Sequence, residues 1–280
     1  CFANVIERGD AVLIVENGVF GTRMADVAGR LGADVDVVSF EWGTPANPEQ
    51  VAEAVGSREY KLVAVVHAET STGVCNPVAE IGRIVKESGA LYLVDTVTSL
   101  GRMPVEVDAW GADAVYSGTQ KCLSCPPGLA PATFSPAYME AVERRSTKVP
   151  NWYLDLSLLT SYWKGAKRAY HHTAPVNMIY ALHAALSAVL DEGLENVWAR
   201  HRDAHTHLAH RLNDLGLGLF VAEDARLPML NAVTIPAGVD EASVRSRLLS
   251  EYAVEIGAGL GPLAGRIWRV GLMGHTARRE

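Results

Sequence analysis

No run of lysine or arginine appears anywhere in this 280-residue sequence. Nothing therefore offers a basic stripe to a phosphate backbone, and nucleic acid is not an expected partner. No apolar stretch reaches the roughly 18 residues needed to cross a bilayer, so no membrane partner is expected either. Cysteine is scarce: Cys1, Cys75, Cys122 and Cys125 are too few for a disulfide framework and suit a reducing compartment such as the cytoplasm. Internal repeats and low-complexity segments are absent. An initiator methionine is missing, and the last residues, Thr276-Ala277-Arg278-Arg279-Glu280, read as the first turn of a helix. We therefore expect a piece of a longer chain, truncated at both ends.

What is present describes a folded protein. Hydrophobic residues make up 49% and charged residues 20%, which excludes a disordered chain. The length suits one large domain plus a smaller one. Short apolar runs at Ala11 to Val15, Val35 to Phe40, Lys61 to Val66, Leu91 to Val94 and Asp113 to Tyr116 read as strands, with Leu129 to Phe134 as a further candidate. Amphipathic stretches at Thr22 to Leu31, Pro48 to Val55 and Val78 to Ser88 read as helices between them. This βαβ rhythm predicts an α/β fold with a mostly parallel sheet between helices.

Beyond Tyr138 the pattern becomes helical, with long helices over Met178 to Leu190 and Leu194 to Leu215. It then returns to strand and helix: Asn231 to Ile235, Glu241 to Ser250, Ala253 to Ile256 and Ile267 to Gly271. These features set the expected boundary near Gly193, with a large domain over 1–192 and a smaller α+β domain over 193–280.

Open parallel sheets bind ligands at the carboxyl ends of their strands. Three polar segments fall there: His67-Ala68-Glu69-Thr70-Ser71-Thr72-Gly73-Val74, then Asp95 within Val94-Asp95-Thr96-Val97, then Ser117-Gly118-Thr119-Gln120-Lys121. Singly, an aspartate at a strand end reads as a turn cap and a loop lysine as a solvated charge. Together, a lysine able to form an imine and a carboxylate able to keep a pyridine nitrogen protonated are what pyridoxal-phosphate chemistry requires.

The phrases Tyr92-Leu93-Val94-Asp95-Thr96-Val97, Tyr116-Ser117-Gly118-Thr119-Gln120-Lys121 and Tyr170-His171-His172-Thr173-Ala174-Pro175 resemble the class V aminotransferases of pyridoxal-phosphate fold type I. The similarity is greatest to the alanine–glyoxylate / serine–glyoxylate (serine–pyruvate) group. It implies a ping-pong transfer of an amino group from a small amino acid, alanine or serine, to glyoxylate. It also implies pyridoxal 5'-phosphate as cofactor and a homodimer with shared sites.

By that resemblance Lys121 is the Schiff-base lysine and Asp95 the partner of the ring nitrogen. Phe20 stands where the family usually stacks a tryptophan on the ring, a smaller contact. Thr70 lies near the cofactor's phenolic oxygen and Gln120 near its phosphate. Tyr170 and Thr173 reach the neighbouring subunit's phosphate, and Arg269 forks the substrate carboxylate, a task that suits a planar guanidinium. The phosphate-cradling loop would precede the first residue, so this stretch alone is expected to hold the cofactor weakly.

Other readings carry less. A cysteine desulfurase needs a cysteine on a mobile loop well after the lysine, and none follows Cys125. Relatives acting on ureidoglycine or aminophosphonates share the motifs, and a non-catalytic structural relative would not need Lys121, Asp95 and Arg269. Cys122-x-x-Cys125 lacks a second pair for zinc. His201, His205, His207 and His210 read as a solvated helix face rather than a metal site.

Overall fold

The computed structural model describes residues 1–164 and 170–278. A six-stranded sheet forms its centre. It is built from β1 (Ala11–Glu16), β2 (Asp34–Ser39), β3 (Leu62–Val66), β6 (Leu91–Asp95), β7 (Ala114–Tyr116) and β8 (Ala132–Phe134), in the order β2-β1-β3-β6-β7-β8. The first five run parallel and β8 pairs antiparallel with β7.

Alternation along the central strands feeds two apolar layers. Leu13, Val15, Val63, Val65, Tyr92 and Val94 point to one face, where α3 (Pro48–Gly56) and α4 (Val78–Ser88) add Val51, Val55, Ile81 and Val85. Val12, Ile14, Leu62, Ala64, Val66 and Leu93 point to the other, against α1 (Phe2–Val5), α2 (Val19–Arg30) and α5 (Pro136–Glu143). A strand covered on both faces must read as an unbroken apolar run, and Leu-Val-Ala-Val-Val of β3 is buried throughout.

Local signals set the helix ends. Pro48 opens α3 behind the Asn47 cap, which accepts from Glu49 N at 2.8 Å. In α4, Val78, Ile81, Gly82 and Val85 share the buried stripe, and Gly89 ends it at φ +79°. Gly82 is required by close approach, since a Cβ there would collide with the Trp110 carbonyl.

A small hairpin of β4 (Ala68–Glu69) and β5 (Val74–Cys75) follows β3. Past α6 (Leu156–Lys164), α7 (Val176–Glu192) and α8 (Leu194–Asp214) meet at Gly193, φ +83°. A second, antiparallel sheet of β10 (Gly257–Ala258), β11 (Ile267–Gly271) and β9 (Leu230–Thr234) lies beyond them, with α9 (Glu241–Tyr252) between β9 and β10.

Four expectations change. Ala253 to Ile256 is no strand: Ala253 caps α9 in the left-handed region and the strand starts at Gly257. The last strand of the large sheet starts at Ala132 rather than Leu129. A 3-10 turn over Gly274–Thr276 replaces the expected helical turn at the chain end, while Arg279 and Glu280 lie outside the described residues. Helices α5 and α6 had no counterpart in the periodicity, although Ser135-Pro136 is a legible start, with Ser135 Oγ accepting from Tyr138 N at 3.0 Å.

Candidate active site

Strands β3, β6 and β7 are neighbours and end at the same sheet edge. Backbone bonds continue the ladder one step beyond them, from His67 N to Asp95 O and from Thr96 N to Tyr116 O, both at 2.9 Å. The segments carrying Thr70, Asp95 and Lys121 therefore leave adjacent strands side by side.

Asp95 is the last residue of β6 and is buried. Val97 N donates to its Oδ1 at 2.7 Å and the Tyr116 hydroxyl to its Oδ2 at 2.7 Å. Burial raises its pKa, opposed by these two donors and by the nearby positive charge of Arg23. Among the described residues no cation lies within ion-pair distance of it. A buried carboxylate supported only by neutral donors is poised to take a cationic N–H partner. Tyr116 was not singled out from the sequence, though the parallel register pairs it directly with Asp95.

Lys121 follows β7 by five residues, in a turn closed by Ser124 N donating to Lys121 O at 3.1 Å. Its amine makes no hydrogen bond or ion pair among the described residues. Gln120 beside it is exposed, and its amide oxygen packs over Gly118, where a Cβ would crowd it.

Glu69 is the acid the sequence reading passed over. It is fully buried and accepts from four donors: Phe20 N at 3.1 Å, Gly21 N at 3.3 Å, Ser71 N at 3.1 Å and Ser71 Oγ at 2.5 Å. Ser71 Oγ in turn accepts from Val19 N at 2.9 Å. Together they satisfy the first amides of α2 and hold Phe20 at the site edge. Gly18 permits this approach, since a Cβ there would collide with the Glu69 carboxyl. Burial raises the Glu69 pKa against these donors. An acid inside a hydroxyl-rich loop facing a helix start was the available signal.

Phe20 is half-buried, with the Arg23 guanidinium 5.2 Å from its ring centroid. Arg269, on β11, reaches across from the second sheet. Its Nε donates to Ala258 O at 2.7 Å and its Nη1 to the carbonyl of Thr70 at 3.3 Å. These bonds leave Nη2 and one Nη1 hydrogen for a ligand. Burial lowers the Arg269 pKa, and the Glu69 charge counteracts it. The structure thus brings Asp95, Thr70, Arg269 and Phe20 into one neighbourhood through Glu69 and Arg23.

Tyr170 and Thr173 are placed apart. They hydrogen-bond each other at 2.8 Å in an exposed segment, with Tyr170 77% exposed. Cys122 and Cys125 are buried free thiols, and burial pushes Cys122 up to about 12. The histidine reading needs correction. His201 is fully buried with Nδ1 2.8 Å from Val197 O, and His205 Nδ1 lies 2.6 Å from Asn231 Oδ1. Only His207 and His210 of the four face solvent, while His205 meets Asn231 of β9.

Residues 1–269 match the family described as aminotransferase class V. The (S)-ureidoglycine–glyoxylate transaminase of Bacillus subtilis is 39% identical over 296 residues, spanning 99% of this chain and 71% of that protein. The alanine–glyoxylate aminotransferase of Callithrix jacchus is 40% identical over 280 residues, spanning 99% and 68%. Among solved structures, the alanine–glyoxylate aminotransferase from Nostoc sp. superposes with a TM-score of 0.96 at 50% identity, covering 99% of this chain and 74% of that one. The parallel sheet, the acid, lysine and arginine at its edge and this similarity over almost the whole chain make it a class V aminotransferase.

Proposed function

We propose that this enzyme transfers an amino group from a small L-amino acid, alanine or serine, to glyoxylate by a ping-pong mechanism with pyridoxal 5'-phosphate. The observation that carries the reading is the donor set at one sheet edge: a buried carboxylate without a cationic partner, an unbound lysine amine and a guanidinium with free hydrogens. That set fits the cofactor. Asp95 would meet the ring nitrogen, Phe20 the ring face, Thr70 the phenolic oxygen, and Gln120 the phosphate.

When bound, the cofactor supplies an electron-withdrawing ring that stabilises negative charge at the substrate Cα. Asp95 keeps the proton on the ring nitrogen. Arg269 fixes the substrate carboxylate through its free Nη1 and Nη2 hydrogens, turning the Cα–H toward the lysine. Lys121 Nζ removes the Cα proton and delivers it back on the product side as general base and acid. The burial around Asp95 and Glu69 excludes water from the side of the site opposite solvent.

We further propose a homodimer in which Tyr170 and Thr173 complete the partner's phosphate site, with a domain boundary near Gly193. The exposed segment around Tyr170 and the unusual exposure of Trp152, Trp163, Tyr180 and Leu190 support an apolar face that a second copy covers. Ureidoglycine is the second reading for the amino donor, favoured by the similarity to the B. subtilis transaminase.

Borohydride reduction of the holoenzyme followed by peptide mapping should leave the cofactor fixed to Lys121, and Lys121→Ala should abolish both label and turnover. A label on another lysine would overturn the assignment. Single-turnover reactions with alanine, serine and ureidoglycine, each chased with glyoxylate, then rank the donors.

A further inference from the structure

Ser124 is one of two non-glycine residues at positive φ among the described residues, at +58°. An L side chain adopts that conformation only at a cost, so something must hold it. Three segments meet on this residue. Its amide closes the turn on Lys121 O at 3.1 Å. Its Oγ accepts from His275 N at 2.7 Å and from Arg102 Nη2 at 3.4 Å.

Each donor comes from another part of the site. His275 lies in the Gly274–Thr276 turn, six residues beyond Arg269 on the strand that leads into it. Arg102 belongs to the segment that follows Asp95 and is almost completely buried, its Nε unpartnered among the described residues. The contact is close. Gly274, at φ +77°, abuts Ser124 so tightly that a Cβ would collide with Ser124 Oγ. Arg200 of α8 anchors the same turn by donating to Gly274 O at 3.2 Å and Ala277 O at 2.9 Å, while gripping Glu192 through Nε and Nη2.

We propose that Ser124 is a positioning residue for Lys121, tying the lysine turn to the strand that carries Arg269, so that filling the carboxylate site sets where the amine stands. The proposal rests on the reading of Lys121 and Arg269 given above. The hydroxyl acts as acceptor for two donors from opposite sides, so neither the Asp95 segment nor the Arg269 strand can shift without pulling the lysine turn. Nothing in the hydrogen-bond pattern requires Ser124 to touch substrate.

Two variants separate the hydroxyl from the backbone conformation. Ser124→Ala loses the acceptor and keeps the strain; Ser124→Gly loses the acceptor and relieves it. Both should lower kcat by at least about tenfold, as expected for a displaced catalytic group, and both should shift the pH titration of the visible band of cofactor on Lys121. In the cofactor-free protein both should speed amide hydrogen exchange at His275. Ala253→Gly, at the other left-handed residue on the far end of α9, should leave all three readouts unchanged. Wild-type kcat, band titration and exchange in Ser124→Gly alongside an impaired Ser124→Ala would overturn the proposal, since backbone strain alone would then matter. Unchanged behaviour in both would overturn it as well. Borohydride mapping of each variant keeps the two readings apart: label on Lys121 with unchanged rates sinks only the positioning role, whereas label elsewhere sinks the lysine assignment.

Discussion

Replacing Glu69 by alanine should be among the most damaging single changes at this site, although the residue carries no role in the chemistry proposed. Its carboxylate is fully buried and serves the amides of Phe20, Gly21 and Ser71 as well as the Ser71 hydroxyl. Alanine strands three backbone donors in a dry interior, at about 1–3 kcal/mol each. Water entering the vacated space recovers part of that sum. The expected net loss is about 3–5 kcal/mol, a fall in Tm of roughly 10 °C for a chain of this length. Glutamine should cost less than half as much. It keeps one acceptor for the start of α2, and burial already disfavours the charge it removes. Urea unfolding followed by tryptophan fluorescence measures both. An alanine variant within about 1 kcal/mol of wild type would show that water or a shifted Ser71 replaces the carboxylate. Glutamine as harmful as alanine would show that the charge, not the acceptors, is what α2 needs.

Other expectations follow from the same geometry. Asp95→Asn keeps the shape and removes the charge, so kcat should fall at least ~10²-fold; a fall of under about threefold would mean that another group pairs with the ring nitrogen. Arg269→Lys should raise KM for amino acid and oxo acid alike, because both present a carboxylate to the fork, and a rise in one half-reaction only would remove Arg269 from the common site. His67 is buried against Trp110 with its pKa lowered to about 4 by burial. The unfolded chain binds a proton there below about 6.5 and the folded one does not, so this contribution is whole above that pH. It is lost as pH falls toward 4, by about 3 kcal/mol. Urea titrations across that window should show a shallower slope for His67→Gln, with His201, also lowered to about 4, and His205, lowered by burial, contributing to what remains; an unchanged slope would refute the assignment.

The parallel sheet was legible because burial on both faces forces apolar runs, and β1, β3 and β6 lie where Ala11 to Val15, Lys61 to Val66 and Leu91 to Val94 predicted. That Thr70, Asp95 and Lys121 follow the carboxyl ends of neighbouring strands was legible for a related reason, since the segment carrying each comes directly after an apolar run. Glu69 and Ser124 were not, because their partners lie far along the chain, at Phe20 and at His275. No local period encodes a contact over 151 residues. His201 was misread because the apolar face of α8 is thin, with only Val197, His201 and Ala204 buried. On such a helix a neutral histidine serves as core, and composition cannot distinguish it from a solvated one.

The site lies on a seam, and this bears on how selectivity could arise. The acid ends a strand of the parallel sheet and the lysine sits in the turn beyond its neighbouring strand. The guanidinium arrives from a separate antiparallel sheet. Among the described residues, few hydrogen bonds join the segments around the two sheets: Arg269 Nη1 to Thr70 O, Leu227 N to Gly73 O at 3.1 Å, and His275 N to Ser124 Oγ. On the proposed roles, the distance between the Arg269 guanidinium and the Lys121 amine therefore depends on how the two sheets meet. A substrate whose carboxylate and amino group span a different length can be met by shifting that seam, with Asp95, Lys121 and Arg269 unchanged. On this argument, donor preference among alanine, serine and ureidoglycine resides in the loop residues 70–73 and 227–230 and in the 274–276 turn. Exchanging these segments with a relative of different preference should move kcat/KM between donors, and an exchange that leaves the ranking unchanged would place selectivity elsewhere.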